Sequence, residues 1–277
     1  MTATTAAVPA PAGAFALALA ALPGMGPARL HRLIAGFGPG PAWERVLAGM
    51  EVRPSPSRGA ASAQRPWASA ARSFDAVSAW EASCRCGIQV TWPGDEQWPP
   101  VFMDDPHPPG VLFWRGDLGA LRQPAVAVVG TRRASPEGRS VAFELGFDLA
   151  RAGVPVVSGL ALGIDGAAHA GALQAWESRL VGTAPAAPTI GVAASGVDVI
   201  YPRRHADLWK RVIDSGAVVS ETPPGGPPSS WRFPARNRII VALARMVVVV
   251  ESHVSGGSLV TVETALARGV EVRAVPG

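Results

Sequence analysis

From residue 125 onward the chain alternates short apolar runs with breaks of small or polar residues. Runs that are apolar throughout, without in-and-out alternation, are typical of parallel strands buried on both faces of a sheet. Such runs occupy residues 125–130, 154–159, 189–196, 217–226 and 246–257. Helical patterning is predicted near residues 135–152, 163–176, 204–214, 235–244 and 258–268. This alternation predicts an α/β fold with a doubly wound, mostly parallel sheet.

The first of these runs is followed by a loop with phosphate-binding chemistry. In open parallel sheets ligands lie at the carboxyl ends of the strands, and loops of small residues expose backbone N–H groups that suit phosphate. Here Gly130, Thr131, Arg132 and Arg133 precede a predicted helix start at which Ser135 can cap and a proline follows. The sequence favours a phosphate site, although a surface loop with solvated arginines would carry the same residues.

Gly- and Ser-rich loops also follow other runs, and their backbone N–H groups are candidate phosphate contacts. These positions are Ser158, Gly159, Ser195, Gly196, Gly257 and Ser258. Asp165 and His169 stand four residues apart on one face of a predicted helix. They form either an acid–base or metal pair, or a structural hydrogen bond at the helix start. The structural interpretation is favoured because the sequence shows no third metal ligand.

Three further positions keep two interpretations each. Tyr201, the single tyrosine of the sequence, either stacks on a base or covers the core. The basic run at residues 203–205 forms either a ligand contact or a solvated face, and basic clusters by themselves are only an electrostatic footprint. Glu263 is either a catalytic carboxylate or a solvent-facing helix residue, and the second interpretation is favoured.

The densest cluster of candidate chemistry lies at residues 231–238. Two aromatic side chains interleave there with three arginines and an amide. Aromatic faces stack on unpaired bases, while arginine neutralises phosphate and can stack as well. Phe233, Arg236, Asn237 and Arg238 are therefore candidate contacts to a single-stranded nucleic acid, which suits interleaved aromatics and arginines better than a duplex does.

The sequence predicts two domains, a small helical one at residues 13–85 and the α/β domain at residues 86–277. Residues 22–38 resemble a helix–hairpin–helix (SAM-like) unit with a Gly-x-Gly turn. That turn either offers N–H groups to a DNA phosphate or is plain scaffolding. Residues 1–12 are expected to be disordered, and residues 51–66 to form a Pro/Ser/Ala-rich linker or loop.

The remaining segments are assigned more coarsely. Residues 67–83 are predicted to form one helix. Residues 88–118 fit an extended segment packed on the α/β domain, with a strand at residues 111–114. Residues 178–188 are expected to form a loop before the third strand.

Composition limits the class of protein. An apolar content of 48% in 277 residues allows a sizeable core. The net charge is +4, and the basic excess lies beyond residue 118, where sixteen basic residues face twelve acidic ones. This permits an anionic partner. Cys84 and Cys86 are too few for a disulfide framework or a zinc site. The apolar stretch 14–22 is too short to span a membrane, so we expect a cytoplasmic protein without a membrane contact.

Eight stretches between residues 98 and 277 occur in an order found in one protein family. They are WPPVFMDDPHPPGVLFWRGD (98–117), VAVVGTRRASPEG (126–138), VVSGLALGIDGAAHAGAL (156–173), SGVDVIYP (195–202), SETPPG (220–225), FPARNRII (233–240), GSLVTVETAL (257–266) and AVPG (274–277). Together these stretches resemble the DprA/Smf family, the DNA-processing proteins of bacterial natural transformation.

The resemblance implies a Rossmann-like domain preceded by a small helical domain. It also implies single-stranded DNA binding, homodimers and loading of the RecA recombinase onto incoming strands, without catalytic turnover, cofactor or metal. The phosphate-binding arginine of the family falls on Arg132. Its FPxRNR element falls on Phe233, Pro234, Arg236, Asn237 and Arg238.

The sequence also departs from the family pattern. Leu162 stands where members often have Arg or Lys, and the loop at 178–188 looks longer than usual. The fifth loop reads Gly-Gly-Ser where Ser-Gly-Ser is common. Members continue beyond AVPG with a further Rossmann segment and often a winged-helix-like domain. We therefore expect this chain to be truncated, which bears on dimerisation and RecA contact more than on DNA binding.

Two other functions are weighed against the DNA mediator. A nucleoside-monophosphate phosphoribohydrolase of the lysine-decarboxylase-like group would use a Gly-Gly loop followed by a glutamate, and Gly256, Gly257 and Glu263 have a similar spacing. The threonine of that motif is displaced by one position here, and FPARNR has no counterpart in it. A structural nucleotide-sensing module is the third candidate. Release of free base would identify the enzyme, and oligo-dT binding without turnover would identify the mediator.

Overall fold

Eight strands from the described residues form one sheet, which organises the α/β part of the protein. The structure is a computed structural model that describes residues 10–50, 60–178, 187–254 and 256–276. The strands are β1 (Gln89–Thr91), β2 (Leu112–Gly116), β3 (Ala125–Val129), β4 (Val156–Ser158), β5 (Thr189–Val192), β6 (Ala217–Ser220), β7 (Ala244–Val249) and β8 (Glu271–Ala274). Their order in space is β1-β2-β6-β5-β4-β3-β7-β8.

The sheet is mostly parallel, as the apolar runs predict. The six strands from β6 to β8 pair in parallel, and β2 pairs antiparallel with both of its neighbours. Every residue of β4, β5 and β6 is buried, as expected for strands covered on both faces. The predicted α/β, Rossmann-like fold is confirmed.

Helices cover both faces of this sheet. They are α6 (Pro136–Arg151), α7 (Ile164–Glu177), α8 (Ala206–Ser215), α9 (Arg232–Leu243) and α10 (Gly257–Ala267). Side chains of α6 and α7 share a core with one face of β3 and β4, while α9 and α10 share a core with the opposite face. The predicted start of α6 is confirmed, because the Ser135 hydroxyl accepts the N–H of Gly138 at 2.9 Å and Pro136 is the first helical residue.

The helical region in front of the sheet contains α1 (Ala12–Ala21), α2 (Pro27–Phe37), α3 (Pro39–Leu47), α4 (Ala60–Ser73) and α5 (Ala76–Arg85). Leu30, Leu33 and Ile34 are buried on the inner face of α2, as the hairpin pattern predicts. Among the described residues, none of the helices has the length and apolar character needed to cross a bilayer. Cys84 and Cys86 are exposed and free.

Three predictions of local structure need correction. The helix predicted at 67–83 is two helices, because Asp75 accepts the N–H of Ser78 at 3.0 Å and starts α5. Residues 60–66 of the predicted linker belong to α4, and residues 10–12 of the predicted disordered terminus are placed, with Ala12 starting α1. The rest of these two segments, and residues 179–186 of the predicted loop, lie outside the described residues.

Two strands were not predicted from the sequence. β1 is only three residues long, and β8 is exposed or half-buried along its whole length. An edge strand that faces solvent carries polar residues, so its sequence lacks the apolar run that marks the central strands.

The helical region and the sheet share one apolar cluster. It extends from Leu19, Leu33 and Ile34 in the helices to Phe113 of β2 and Trp209 of α8. The predicted domains therefore pack against each other through a common core.

Candidate nucleic-acid interface

A groove of about 400 Å³ lies at the carboxyl edge of the sheet, beside the ends of β3 and β7. Parallel strands all end at this edge, so their loops are brought side by side although they are far apart in the sequence. Nine of the predicted site residues line the groove: Gly130, Thr131, Arg132, Arg133, Phe233, Arg236, Asn237, Gly257 and Ser258. The loop after β3, the first turn of α9 and the start of α10 therefore form one surface, which we call the rim groove.

Arg132 and Phe233 contact each other in the rim groove. The Arg132 guanidinium lies over the Phe233 ring, 4.5 Å from its centroid. The Tyr201 ring lies 5.7 Å from that of Phe233, at an angle of 50°. Arg132 is exposed, Phe233 is half-buried and Tyr201 is exposed. The three planar groups form a ladder that offers both a positive charge and stacking faces.

Among the described residues, no carboxylate forms an ion pair with Arg132 or Arg133. The backbone N–H of Arg133 donates to the Thr131 hydroxyl at 3.2 Å, which fixes the turn, and both arginine side chains are exposed. The positive charge at this end of the groove is therefore available to an anion.

Two helix N-termini lie near the groove, and they differ in whether their N–H groups are free to bind an anion. At α6 the Glu251 carboxylate accepts the backbone N–H and the hydroxyl of Ser135, at 3.0 and 2.8 Å. These hydrogen bonds to Ser135 lower the pKa of Glu251. A protein carboxylate thus occupies the start of α6. Sequence analysis missed Glu251 because it lies 116 residues from its partner.

The start of α10 is open by contrast. Gly256 is its N-cap without a side-chain cap bond, and its first turn carries no acidic residue. A Cβ placed on Gly257 would meet no atom within 4 Å, so the backbone there borders open space. Ser258 itself is buried and its hydroxyl bonds that of Ser252 at 2.7 Å. The backbone of this turn, rather than the Ser258 hydroxyl, faces the rim groove.

Arg236 lies under the groove as a buried structural residue. It is 5% exposed, and its guanidinium donates to the carbonyls of Gly159, at 2.7 Å, and Val192. It thereby ties α9 to the ends of β4 and β5. Burial lowers the pKa of Arg236 to about 10, which keeps the side chain charged at neutral pH. A Cβ on Gly159 would come within 2.6 Å of both this guanidinium and the Asp165 carboxylate, so a larger residue there would displace these two groups.

Asp165 and His169 do not form the acid–base pair that their spacing allows. Burial raises the pKa of Asp165, and the charge of Arg236 opposes that rise. The Thr189 hydroxyl donates to the Val156 carbonyl at 3.1 Å, so His169 Nδ1 must donate its hydrogen to that hydroxyl at 2.6 Å. Burial lowers the pKa of His169 to about 3, which leaves the ring neutral. In the part of the chain that the structure describes, no acidic, His or Cys cluster could hold a metal ion.

The other predicted residues lie beside or below the groove. Gly159 and Ser195 line a small adjoining cavity of about 100 Å³. The Ser158 hydroxyl donates to the Val128 carbonyl at 2.6 Å, and the Ser195 hydroxyl to the Val199 carbonyl at 2.6 Å. These two hydroxyls are therefore used by the protein.

Gly196 and Arg238 are placed away from the groove lining. Gly196 is buried, and its N–H donates to the Gly226 carbonyl at 2.9 Å. Arg238 forms a largely buried ion pair with Glu221. Burial raises the pKa of Glu221, against the opposing charge of Arg238. Both residues support the loops around the site instead of bordering the rim groove.

The sheet order and the helices on both faces define a Rossmann-like α/β protein. A model of the family described as DNA recombination-mediator protein A matches residues 89–277. That match covers more than half of the chain, so the protein belongs to this family, whose members also carry the names DprA and Smf.

Relatives of known name agree with this assignment. The chain is 39% identical over 192 residues to DNA processing protein DprA of Bacillus subtilis, which is 69% of this chain and 61% of that protein. It is 42% identical over 187 residues to protein Smf of Escherichia coli, which is 67% of this chain and 47% of that protein. The chain thus spans about half the length of the E. coli relative.

Solved structures show the same fold. DNA processing protein A from Streptococcus pneumoniae matches with a TM-score of 0.71 and 28% identity, over 95% of this chain and 85% of that one. The protein from Helicobacter pylori, whose structure concerns its single-stranded DNA binding mode, matches with a TM-score of 0.60 and 28% identity, over 69% of this chain and 81% of that one.

Proposed function

We propose that this protein binds single-stranded DNA in the rim groove and acts as a recombination mediator. The single observation that carries the proposal is the ladder of Arg132, Phe233 and Tyr201 beside an open helix start. A guanidinium suits phosphate, and an aromatic ring stacks on any base. The H. pylori relative, described by its single-stranded DNA binding mode, supports the same ligand.

In this proposal, different residues make different contacts with the DNA. Arg132 and Arg133 contact phosphates, together with the N–H groups at the start of α10. Phe233 supplies a stacking face for a base, and Asn237 a hydrogen-bonding amide. Arg236 adds a fixed positive charge from below, because it is 5% exposed and is held by its hydrogen bonds to two carbonyls and to the Asn237 amide oxygen.

Replacement of Arg132 tests the proposal. Arg132→Ala should weaken oligo-dT binding and reduce the slope of log K against log salt by about 0.7, the value for one lost phosphate contact on a single strand. Arg245→Ala is the matched control, because Arg245 is exposed at the start of β7, at the opposite edge of the sheet. Equal affinity and slope in the wild type and Arg132→Ala would remove Arg132 from the site.

We further propose that the protein is not an enzyme. Among the described residues that line the rim groove, Asp165 is the one carboxylate, and it is buried beside Arg236. Glu263, the candidate acid of a phosphoribohydrolase, is exposed and does not line the groove. Incubation with each nucleoside monophosphate should release no free base. Release that disappears in Glu263→Gln would establish the enzyme instead.

The wider role follows from family membership as a proposal. We infer a cytoplasmic protein that forms homodimers and loads RecA onto incoming strands during natural transformation. RecA-dependent ATP hydrolysis on DNA coated with single-strand-binding protein should start sooner when this protein is added. An unchanged lag, with DNA binding intact, would separate DNA binding from RecA loading.

A further inference from the structure

A second large cavity, of about 430 Å³, lies farther along the same edge of the sheet, toward β5 and β6. Its outer wall is the turn between α1 and α2, at residues 22–27. Its inner wall is formed by Ala193 and Ala194 after β5, and its floor includes the first turn of α9. The proposed function does not use this cavity, and DNA contacts in the rim groove can form without it.

Each of the two cavities is lined by an aromatic–guanidinium pair, and the start of α9 supplies the aromatic ring of both pairs. Phe233, with Arg132 4.5 Å from its ring centroid, lines the rim groove. Trp231, with Arg232 5.2 Å from its ring centroid, lines the second cavity. The Trp231 side chain is 60% exposed. A large aromatic ring left open to solvent beside a cation is the arrangement that stacks on unpaired bases.

The two cavities are joined along the edge of the sheet. The small cavity of about 100 Å³ between them shares Arg132 and Phe233 with the rim groove, and Ala193 and Ala194 with the second cavity. The three therefore follow the strand order from β7 to β6, a distance of four strand spacings. At about 4.8 Å per spacing, this is roughly 19 Å, the length of about five to six stacked nucleotides at 3.4 Å each.

The charges in the second cavity also fit a polyanion. Arg232 uses one nitrogen to donate to the Pro227 carbonyl at 2.6 Å, which positions the guanidinium and leaves further donors. Glu221, the carboxylate among the described lining residues, is ion-paired with Arg238. The cavity thus keeps an arginine with free donors. Its acidic residue is ion-paired with Arg238, and burial lowers the pKa of Arg232 while the charge of Glu221 opposes that lowering.

We propose that Trp231 and Arg232 form a second base-binding subsite, with the α1–α2 turn as its outer wall. Its occupant is the continuation of the single strand that is held at Arg132 and Phe233. The inference rests on the proposed function, because the strand must first occupy the rim groove. It gives the Gly-x-Gly turn of the helical region a place beside the DNA, one of the two roles that its sequence allows.

A length series of oligo-dT separates the two subsites. Trp231→Ala should weaken binding of a 15-mer by about 5- to 150-fold, the usual loss of one base stack, and leave binding of a 3-mer unchanged. Arg132→Ala should weaken both, because the shortest oligonucleotide still needs the rim groove. If Trp231→Ala binds all lengths like the wild type, the second subsite does not exist. If Arg132→Ala still weakens binding in that case, the proposed function remains supported.

Two further variants examine the chemistry of the contact. Trp231→Phe retains an aromatic face and should recover most of the 15-mer affinity; a loss as large as that of Trp231→Ala overturns base stacking. Arg232→Ala should weaken the 15-mer, and Arg151→Ala is its control. Arg151 is exposed at the end of α6, with its guanidinium 5.8 Å from the centroid of the Phe147 ring. If Arg232→Ala and Arg151→Ala weaken 15-mer binding equally, Arg232 has no specific role in the subsite.

The outer wall is tested at Gly26. Its φ is −78°, and a Cβ there would meet no atom within 4 Å, so side chains fit without strain. Gly26 is the N-cap of α2, where both Ser and Asp are good caps. Gly26→Asp should therefore fold as well as Gly26→Ser but weaken the 15-mer by charge repulsion. Identical binding by the two variants would mean that the strand does not pass this turn.

Other binding results would contradict the proposed function itself, and they differ from those that contradict the second subsite. If neither the 3-mer nor the 15-mer binds to the wild-type protein, the rim groove itself is not a single-strand site. If the 15-mer binds and responds to Trp231→Ala but not to Arg132→Ala, the strand occupies only the second cavity, and the continuous path is overturned.

Discussion

Arg132 and Arg236 both border the rim groove, yet their surroundings divide it into two layers. Arg132 is exposed, lies over an aromatic ring and has no acidic partner in the described part of the chain. Arg236 is 5% exposed and bonds two carbonyls at the strand ends. The comparison shows that a basic motif contains residues of two kinds. The buried layer fixes the shape of the edge, and the exposed layer is left to bind.

The buried layer explains why the exposed layer keeps its geometry. Arg236 holds the first turn of α9 against the ends of β4 and β5, and Phe233 belongs to that turn. The ring on which Arg132 rests is therefore positioned from below. A ladder that is already ordered loses less side-chain entropy when a base stacks on it.

The largest effect is expected in the buried layer. Arg236→Ala leaves two carbonyls without a donor and a buried Asp165 without its nearest counter-charge, which should cost about 3 kcal/mol of unfolding free energy. Urea denaturation of the variant and the wild type measures the difference. Arg132→Ala is the comparison variant and should change the unfolding free energy little. If both variants lose a similar amount of unfolding free energy, Arg236 is no more structural than Arg132, and the division into two layers is wrong.

The next effect is expected in the exposed layer. Phe233→Ala removes a stacking face and the platform under Arg132, and should cost about 1–3 kcal/mol of binding free energy to oligo-dT. Fluorescence anisotropy gives the affinity, and a thermal melt checks the fold. Phe37→Ala is the control, because Phe37 is 45% exposed and Arg45 lies 4.3 Å from its ring centroid. If Phe233→Ala melts early with its affinity intact, the ring belongs to the core.

A smaller effect is expected at the open start of α10. Gly257→Ala adds a methyl group where the protein has no atom within 4 Å, so folding should be unaffected. A DNA backbone that approaches these N–H groups would be displaced, with a loss of about 1 kcal/mol of binding free energy. Gly36→Ala, in an equally open position of α2, is the control. Unimpaired binding by Gly257→Ala would place the strand away from α10.

The smallest effect concerns pH and the closed start of α6. The pKa of Glu251 is lowered from 4.5 by its hydrogen bonds to Ser135. As pH falls below 4.5, the unfolded chain is protonated at this residue before the folded one, so the stability that Glu251 contributes is lost in that range. Urea midpoints of the wild type should therefore fall more steeply toward low pH than those of Glu251→Gln. Parallel curves would show that the carboxylate does not stabilise the cap.

The central fold could be predicted from the sequence because burial on both faces leaves a direct pattern. β4, β5 and β6 are apolar or small throughout, and Ser135 with Pro136 marks the start of α6. The edge strand β8 could not be predicted in this way, since exposed residues carry no such pattern. The break between α4 and α5 was missed although Asp75, a good N-cap residue, was a local signal for it.

The sequence predicted which residues meet at the candidate site. It did not predict which of them are exposed and which are buried. Gly130 to Arg133 and Phe233 follow strand ends or precede a helix, so the topology alone brings them together. Whether Arg132 or Arg236 is the exposed arginine depends on how α9 docks on β4 and β5, which no local pattern records. Glu251 was missed for the same reason, because its partner Ser135 is near only in the folded chain.

The shared core of the helical region and the sheet limits how such proteins can be recombined. Gly110, before β2, lies so close to α2 that a Cβ on it would come 2.7 Å from the Leu30 Cβ. A chimaera that exchanges the first 85 residues between two relatives must therefore bring matching shapes at this junction. Without them the graft would expose Phe113 and the neighbouring apolar side chains, and insolubility would follow before any effect on DNA could be seen.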